Sequence, residues 1–251
     1  MWGEPPKDVL ENAPPGVSLL APATVELASR STLPVVIRRR ASLVEAAKVP
    51  LEHFAVAVAV DLKRDRVYAA RAVALEDDAP AFEPPGEHGL GGGETTQLAQ
   101  ADLRARLGLP WRGARLQLWA LAGGMLSKPI QVELTGNDSA GEAAPEAPPA
   151  PGLRDARPPA HPGVALHPHG HSLRGALRVH GNAPSALVHL VFVFQDDGFV
   201  SQRDFRVSLH GGAGGFELGP RELAGINPGR PLRVFAFVQE TASAPVLFTV
   251  P

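Results

Sequence analysis

The chain has 251 residues, of which 44% are hydrophobic and 20% are charged, and its formal net charge is −2. This length allows one large domain or two of about 100 residues each. The absence of cysteine excludes disulfides, thiolate nucleophiles and cysteine-ligated metals. Gly and Pro number 26 each, and turns this frequent favour many short strands over long helices.

Charge is balanced along the chain. Residues 15–136 contain 14 Lys and Arg against 13 Asp and Glu, and residues 163–251 contain 7 against 6. Neither half has the basic surface expected of a protein that binds nucleic acid or anionic membranes. The one dense basic run, Arg38-Arg39-Arg40, is interpreted as a solvated strand end.

The N-terminal region suggests no targeting or membrane segment. Residues 1–14 contain three prolines and are predicted to form a flexible arm, without the basic and apolar stretches of a secretory signal. The apolar run at residues 54–60 is much shorter than the roughly 20 residues that span a bilayer. We therefore expect a cytoplasmic protein without a membrane span, with export after removal of a signal as the alternative.

Period-two patterns predict the first strands. Residues 24–40 supply opening strands, and residues 53–61, HFAVAVAVD, alternate Val and Ala. Because both faces of this second strand are apolar, we expect it to be central and covered on each side. Residues 98–109 are predicted either as a short crossing segment before the last hairpin or as one short helix, since Leu98, Leu103 and Leu107 fall near helical spacing.

A change of composition separates the two halves. Residues 137–162 are rich in Pro and Ala and contain one large aliphatic side chain, Leu153. Such a stretch cannot bury enough apolar area to offset its ordering entropy. The segment is therefore predicted to be a semi-rigid linker between a first domain at residues 15–136 and a second at residues 163–251.

An internal repeat crosses this linker. Residues 113–134 align without a gap to residues 229–250 at an offset of 116, and both segments end their halves with the same apolar pattern. Residues 53–61 likewise align with residues 189–197. Together with the frequent turns, the repeat predicts an all-β fold: two tandem antiparallel β-sandwich domains of immunoglobulin-like or fibronectin-like architecture.

The sharpest local motif is the sequence HPHGH, which places His167, His169 and His171 at alternate positions. In an extended strand their imidazoles would project to one side, and imidazole binds copper and zinc well. The segment 161–189 is therefore a candidate metal site. The competing interpretation is that the three histidines simply face solvent.

No pattern in the sequence meets the requirements of a catalytic site. The glycines of residues 89–96 and 210–215 resemble phosphate and oxyanion loops, but the first stretch lacks a lysine and the second lacks a nucleophile elbow. Both are interpreted as flexible connections. The acidic pairs Asp77-Asp78 and Asp196-Asp197 are predicted turn residues. The aligned pair His53 and His189 is predicted to cap strands through backbone hydrogen bonds.

These observations predict a non-enzymatic accessory or scaffold protein that binds another protein, through sheet edges or end loops, and needs no cofactor. The inference rests on architecture. Binding or delivery of copper or zinc through the His-rich segment is the alternative. Carbohydrate binding is a third possibility, weakened by the single tyrosine in the chain.

Overall fold

A computed structural model describes residues 15–73, 93–136, 146–153, 155–226 and 228–250. In this part of the chain the fold is all-β, with several antiparallel sheets and a sandwich-like arrangement, as the sequence predicts. The described residues divide into two units. The first contains residues 15–59, 70–73 and 93–136, and the second contains residues 60–69 together with those from 146 onward.

The strands in the first part of the chain form two sheets. One sheet is antiparallel with the order β1-β3-β6, and the other has the order β2-β9-β7-β4-β5 with β8 also on β7. The strands are β1 (Gly16–Leu20), β2 (Thr24–Glu26), β3 (Pro34–Ser42), β4 (Val56–Asp61), β5 (Arg66–Arg71), β6 (Glu94–Asp102), β7 (Ala114–Ala122), β8 (Met125–Leu126) and β9 (Ile130–Thr135). All six residues of β4 are buried, so the prediction that both faces of this strand are covered is confirmed.

Among the described residues of the first unit there are three short helices: α1 (Leu43–Lys48), α2 (Leu51–Phe54) and α3 (Leu103–Leu107). Asp102 ends β6 and caps α3, because its side chain accepts the N–H of Arg104. The leucine-rich stretch at residues 98–109 therefore begins as strand and continues as helix.

The interpretation of the arginine run was wrong. Arg38 and Arg39 are 6% and 2% exposed, and only Arg40 is partly open to solvent. Arg39 donates a hydrogen bond to the carbonyl of Val49, at the end of α1. A guanidinium placed there satisfies one of the carbonyls that a helix end leaves without a partner.

The second unit also contains two sheets. One has the order β10-β11-β14, and the other has the order β13-β12-β15-β16 with β17 also on β15. The strands are β10 (Gly163–His169), β11 (Ser172–Arg178), β12 (Ser185–Phe194), β13 (Val200–Ser208), β14 (Ala213–Leu218), β15 (Pro231–Val238), β16 (Thr241–Ala242) and β17 (Val246–Thr249). Alternate residues of β12, such as Leu190 and Phe192, share one apolar core with Leu173 and Leu177 of the other sheet.

The two hairpins at residues 113–134 and 229–250 have matching registers. Leu116 pairs with Val132 in the first unit, and Leu232 pairs with Phe248 in the second, each residue shifted by 116. In both hairpins a buried serine between the strands accepts a backbone N–H: Ser127 from Ala120 at 3.0 Å, and Ser243 from Ala236 at 2.9 Å.

The segment predicted as a linker is attached to the second unit wherever the structure describes it. Ala150 donates its N–H to the carbonyl of Arg206, and Leu153 donates to the carbonyl of Gly215. These contacts place the segment along β13 and then along β14. The second unit therefore includes residues that the sequence assigned to the linker, and the predicted boundary at residue 163 falls too late. The predicted arm at residues 1–14 and residues 137–145 lie outside the described residues.

The glycines of residues 210–215 are not a flexible connection. His210 pairs with Ala213 across Gly211 and Gly212, whose φ angles are +58° and +73°. Two consecutive residues with positive φ make the tight turn that joins antiparallel strands, and glycine adopts that backbone without strain. The turn joins β13 to β14. The other glycine stretch lies mainly outside the described residues.

Candidate functional site

A buried histidine occupies the middle of β12. The side chain of His189 is 0% exposed, and its residue stands directly opposite Asp204 in β13. Because side chains alternate along a strand, and Val188 and Leu190 face the apolar core, His189 lies on the other face of the sheet. An imidazole buried in this way must have hydrogen-bonding partners.

Both ring nitrogens of His189 face carboxylates. Nδ1 lies 2.9 Å from Oδ1 of Asp204, and Nε2 lies 3.4 Å from Oδ1 of Asp65. Asp65 belongs to the turn between β4 and β5 and has a φ angle of +50°. Its side chain is 42% exposed and that of Asp204 is 24% exposed, so the cluster joins a fully buried base to two acids that reach water.

The pKa of His189 is raised above its usual value. Burial is the largest single influence and lowers the pKa, but the hydrogen bonds and charges of Asp204 and Asp65 together outweigh it. The cluster therefore favours a protonated imidazole, whose two N–H groups can both donate.

A neighbouring glutamine holds the same two segments together. Nε2 of Gln202 donates to the carbonyl of Val67 at 2.9 Å and lies 3.4 Å from Oδ1 of Asp204. Residues 60–69 are thus attached to β13 by a neutral hydrogen bond as well as by the His189 cluster.

A cleft of about 560 Å³ lies along β13. Its lining combines two prolines with acidic, basic and amide side chains: Glu146, Pro148, Pro149, Gln202, Arg203, Asp204, Phe205, Arg221 and Glu222. Asp204 therefore belongs to both the cleft and the His189 cluster.

The cleft follows the outer edge of its sheet, since β13 is the last strand in the order β13-β12-β15. Backbone groups along a strand point alternately to its two sides. Arg206 points outward, because its N–H donates to the carbonyl of Pro148 and its own carbonyl accepts from Ala150. Asp204 and Gln202 lie two and four residues before Arg206, so their backbone N–H and C=O groups also point outward, away from β12.

Pro148 stops this pairing. A continued parallel ladder would need an N–H at residue 148 to reach the carbonyl of Asp204, and proline has none. Among the described residues, the backbone of neither Asp204 nor Gln202 has a hydrogen bond on its outward side. The β13 edge is thus covered at Arg206 and open beside the cleft.

A second cleft, of about 470 Å³, is lined by the attached segment and by residues 208–215. It is lined mostly by small residues: Gly152, Leu153, Ala156, Pro158, Ser208, His210, Ala213, Gly214 and Gly215. A Cβ on Gly215 would lie 2.1 Å from Cβ of Ala156, so glycine is what allows this segment to approach β14 so closely.

The three histidines of the HPHGH motif lie at the exposed end of the β10–β11 hairpin. His167 and His169 belong to β10, whereas His171 lies in the turn that follows. The nearby carboxylate of Glu217 is engaged by Ser172 and Arg174, which hold its pKa below the usual value. Within the described ranges, no group of three or more His, Asp or Glu side chains is placed to hold a metal ion.

The other candidates from the sequence are structural where the structure describes them. Asp196 and Asp197 lie in the turn after β12, and Arg230 binds both. The hydrogen bond from Arg230 is the main reason that the pKa of Asp196 is lowered. His53 lies in α2, so it is not placed like His189, and His189 does not cap a strand through backbone bonds. Asp77-Asp78 lies outside the described residues.

Sequence reasoning singled out His189 but missed its partners. Asp65 and Asp204 are 124 and 15 residues away, and they meet the imidazole only through the turn after β4 and the register of β13. Neither spacing has a local signature. The alignment of the two halves matched His189 with His53, and so gave no indication that His189 contacts an acidic residue.

Comparisons with known proteins identify no family. No family model matches the chain, and no curated protein matches it. A solved cytokine receptor complex is 12% identical, with a TM-score of 0.20, and the match covers 92% of this chain and 96% of that one.

Two bacterial surface proteins are similarly distant. An adhesin from Mobiluncus mulieris with intramolecular disulfide, isopeptide and ester cross-links is 12% identical (TM-score 0.19; 90% of this chain, 82% of that one). The C-terminal domain of the Streptococcus pyogenes antigen I/II-family protein AspA is 10% identical (TM-score 0.19; 93% and 99%). At these TM-scores the likenesses support no argument about function.

The described helices are short. None of them is long and apolar enough to cross a membrane.

Proposed function

We propose that this chain is a non-enzymatic accessory or scaffold protein, and that it binds another protein by adding an extended segment of that protein to the β13 edge. The observation that carries the proposal is the open part of this edge at Gln202 and Asp204, next to a cleft. Exposed backbone donors and acceptors of an edge strand are a template for another strand. Main-chain hydrogen bonds would give the affinity, and the cleft would receive side chains.

The β13 edge is a better candidate than the edge of the other sheet in the same unit. β10, which ends that sheet, contains Pro168 close to its exposed end. Proline on an edge strand removes a donor and discourages the addition of a further strand. β13 contains no proline, since Pro148 and Pro149 belong to the attached segment. The strand therefore keeps its outward N–H groups at residues 202 and 204.

We also propose that the two units are copies of one immunoglobulin-like or fibronectin-like sandwich. The support is the shared strand order, β1-β3-β6 with β5-β4-β7 against β10-β11-β14 with β13-β12-β15. The identical hairpin registers and the matched serines, Ser127 and Ser243, add to it. By analogy of architecture, tandem sandwich modules commonly bind other proteins.

The absence of catalysis is part of the proposal. The side chain of His189 is fully buried, and both of its ring nitrogens face carboxylates. A general acid or base must come within hydrogen-bonding distance of the substrate. Both ring nitrogens of His189 are already directed at carboxylates, so neither is available to a substrate.

The test uses two variants of the same residue. Gln202→Pro removes the outward N–H while leaving the bonds of β13 to β12, which are made by the odd-numbered residues. Gln202→Ala removes the same side chain and its bond to Val67 but keeps the N–H. Both variants are first checked for wild-type thermal unfolding and circular dichroism.

The probe is a phage-displayed library of random 12-residue peptides, selected on the wild-type protein. We expect the enriched peptides to bind Gln202→Ala within about threefold of wild type and Gln202→Pro roughly tenfold more weakly, because a tenfold loss is about 1.4 kcal/mol, near the upper end of what one uncharged hydrogen bond contributes. Equal binding to both variants, or no enrichment on wild type, would overturn the proposal.

A further inference from the structure

We propose that His189 is a proton-dependent clip: the protonated imidazole holds the end of the β4–β5 hairpin, residues 60–69, against β12 and β13, and loss of the proton releases the turn that carries Asp65. This clip would operate whether or not a strand is added at the β13 edge, because it depends on the positions of three side chains and on the number of protons that an imidazole can donate.

A neutral imidazole has one N–H and one lone pair. In the cluster, Nδ1 lies 2.9 Å from Asp204, so a single proton is best used there. Nε2 would then direct its lone pair at Oδ1 of Asp65, 3.4 Å away. Two acceptors facing each other at a buried position repel, whereas the protonated ring donates to both carboxylates. The second proton therefore decides whether the contact with Asp65 is attractive.

Asp65 is the partner that can leave. Its side chain is 42% exposed, lies in a turn and makes the longer of the two contacts, whereas Asp204 is 24% exposed and is fixed within β13. Rotating Asp65 toward water costs little, because a carboxylate there regains its hydration. His189 itself cannot move without breaking the packing of β12.

The charge around the imidazole comes from these two carboxylates. Within the described residues, Asp65 and Asp204 are the charged groups that act on the imidazole. In the same turn Arg64 forms an ion pair with Asp61 at 3.1 Å. Two further residues near the imidazole are uncharged: Phe237 stands opposite His189 on β15, and Gln202 lies beside Asp204.

Titration near neutral pH follows from the residue type. Histidine is the side chain whose ordinary pKa of about 6.5 lies in this range, and the two carboxylates raise that pKa here. The contribution of the clip is then complete below about pH 6.5 and is lost as the pH rises through the raised value. The hydrogen bond from Gln202 to Val67 carries no charge and persists, so release is confined to the turn.

Amide hydrogen exchange of residues 60–69 measures how often this turn is released from His189. Peptides covering this hairpin are compared between roughly pH 6 and pH 9, after correction for the intrinsic exchange rate, in wild type, Asp65→Asn and His189→Gln. Asn is chosen because it tolerates the positive φ of Asp65. His180→Gln, at an exposed histidine of the same unit, is the matched control.

In wild type and in His180→Gln, the opening constant of the turn should rise by up to about tenfold per pH unit between the pKa that His189 has when the turn is released and the higher pKa that it has when the turn is held, and should level off above the higher one. In Asp65→Asn it should be independent of pH and already high at pH 6. Should His189→Gln fail to fold, Asp65→Asn still decides the matter, because it changes an exposed side chain. Protection that is independent of pH in wild type, or an unchanged pH dependence in Asp65→Asn, would overturn the proposal.

Discussion

The imidazole of His189 lies directly across β12 and β13 from the carboxylate of Asp204, with Nδ1 and Oδ1 2.9 Å apart. Residues placed opposite each other in an antiparallel pair interact most strongly when their charges are complementary. Here the pair is on a buried face, and a third residue, Asp65, completes it from another part of the chain. Removing one member of such a cluster leaves a desolvated charge behind.

The first prediction is that overall stability falls as the pH rises above about 6.5. The reason is that the pKa of His189 is raised in the folded protein, so the folded state binds a proton that the unfolded state has released. His189→Leu should destabilise the protein by roughly 2–4 kcal/mol near pH 6 and by less near pH 9. Urea unfolding at a series of pH values measures both effects.

In that series His180→Gln serves as the control and should keep the wild-type slope, since His180 is exposed. A His189→Leu protein whose stability still declines with the wild-type slope would show that another group controls the pH dependence.

A structural feature of this chain could be predicted from the sequence where the residues that determine it are close together along the chain. Alternating Val and Ala predicted β4, and the aligned glycine, serine and apolar positions predicted the hairpins at residues 113–134 and 229–250. These signals lie within one strand or one hairpin. Arg39 was misplaced because its partner, the carbonyl of Val49, is created by the end of a helix that the sequence did not predict.

The His189 cluster could not be predicted for a related reason. It needs the β12–β13 register and the position of the β4–β5 turn at once, and each is a tertiary property. The same holds for the attached Pro-rich segment. Its composition predicts disorder, but Ala150 and Leu153 gain hydrogen bonds from strand edges that only the folded unit provides.

The second prediction concerns the matched serines. Ser127→Ala and Ser243→Ala should each destabilise the protein by about 1–2 kcal/mol, because a buried backbone N–H, of Ala120 or Ala236, loses its acceptor. The midpoint of urea unfolding measures the change, and Ser208→Ala, at an exposed serine, should leave it unaltered. Similar losses in the two hairpins are expected if they are copies of one unit, and a negligible loss in either would argue against equivalent roles.

The third prediction concerns the attachment of residues 152–156 to β14. Gly215→Ala should destabilise the protein by roughly 1–3 kcal/mol, since the new Cβ would overlap that of Ala156. Gly152→Ala is the control: a Cβ there meets no atom within 4 Å, and the change should be about 0.5 kcal/mol or less. Hydrogen exchange at Leu153, which donates to the carbonyl of residue 215, should accelerate in the first variant alone. Equal behaviour of the two variants would mean that the segment is held loosely.

The fourth prediction concerns copper or zinc binding by the HPHGH motif. We expect weak, non-stoichiometric binding, because His167 and His169 lie on β10 while His171 lies in the turn, and the nearest carboxylate, Glu217, is already engaged. A tight site needs its ligands preplaced and its imidazoles oriented by further hydrogen bonds. Isothermal titration of Cu²⁺ and Zn²⁺ into wild type and into a variant with all three histidines changed to Ala measures this. A single tight site that is lost in the variant would make metal handling the better account of the chain, whereas weak binding that falls in proportion to the histidines removed is what exposed imidazoles give.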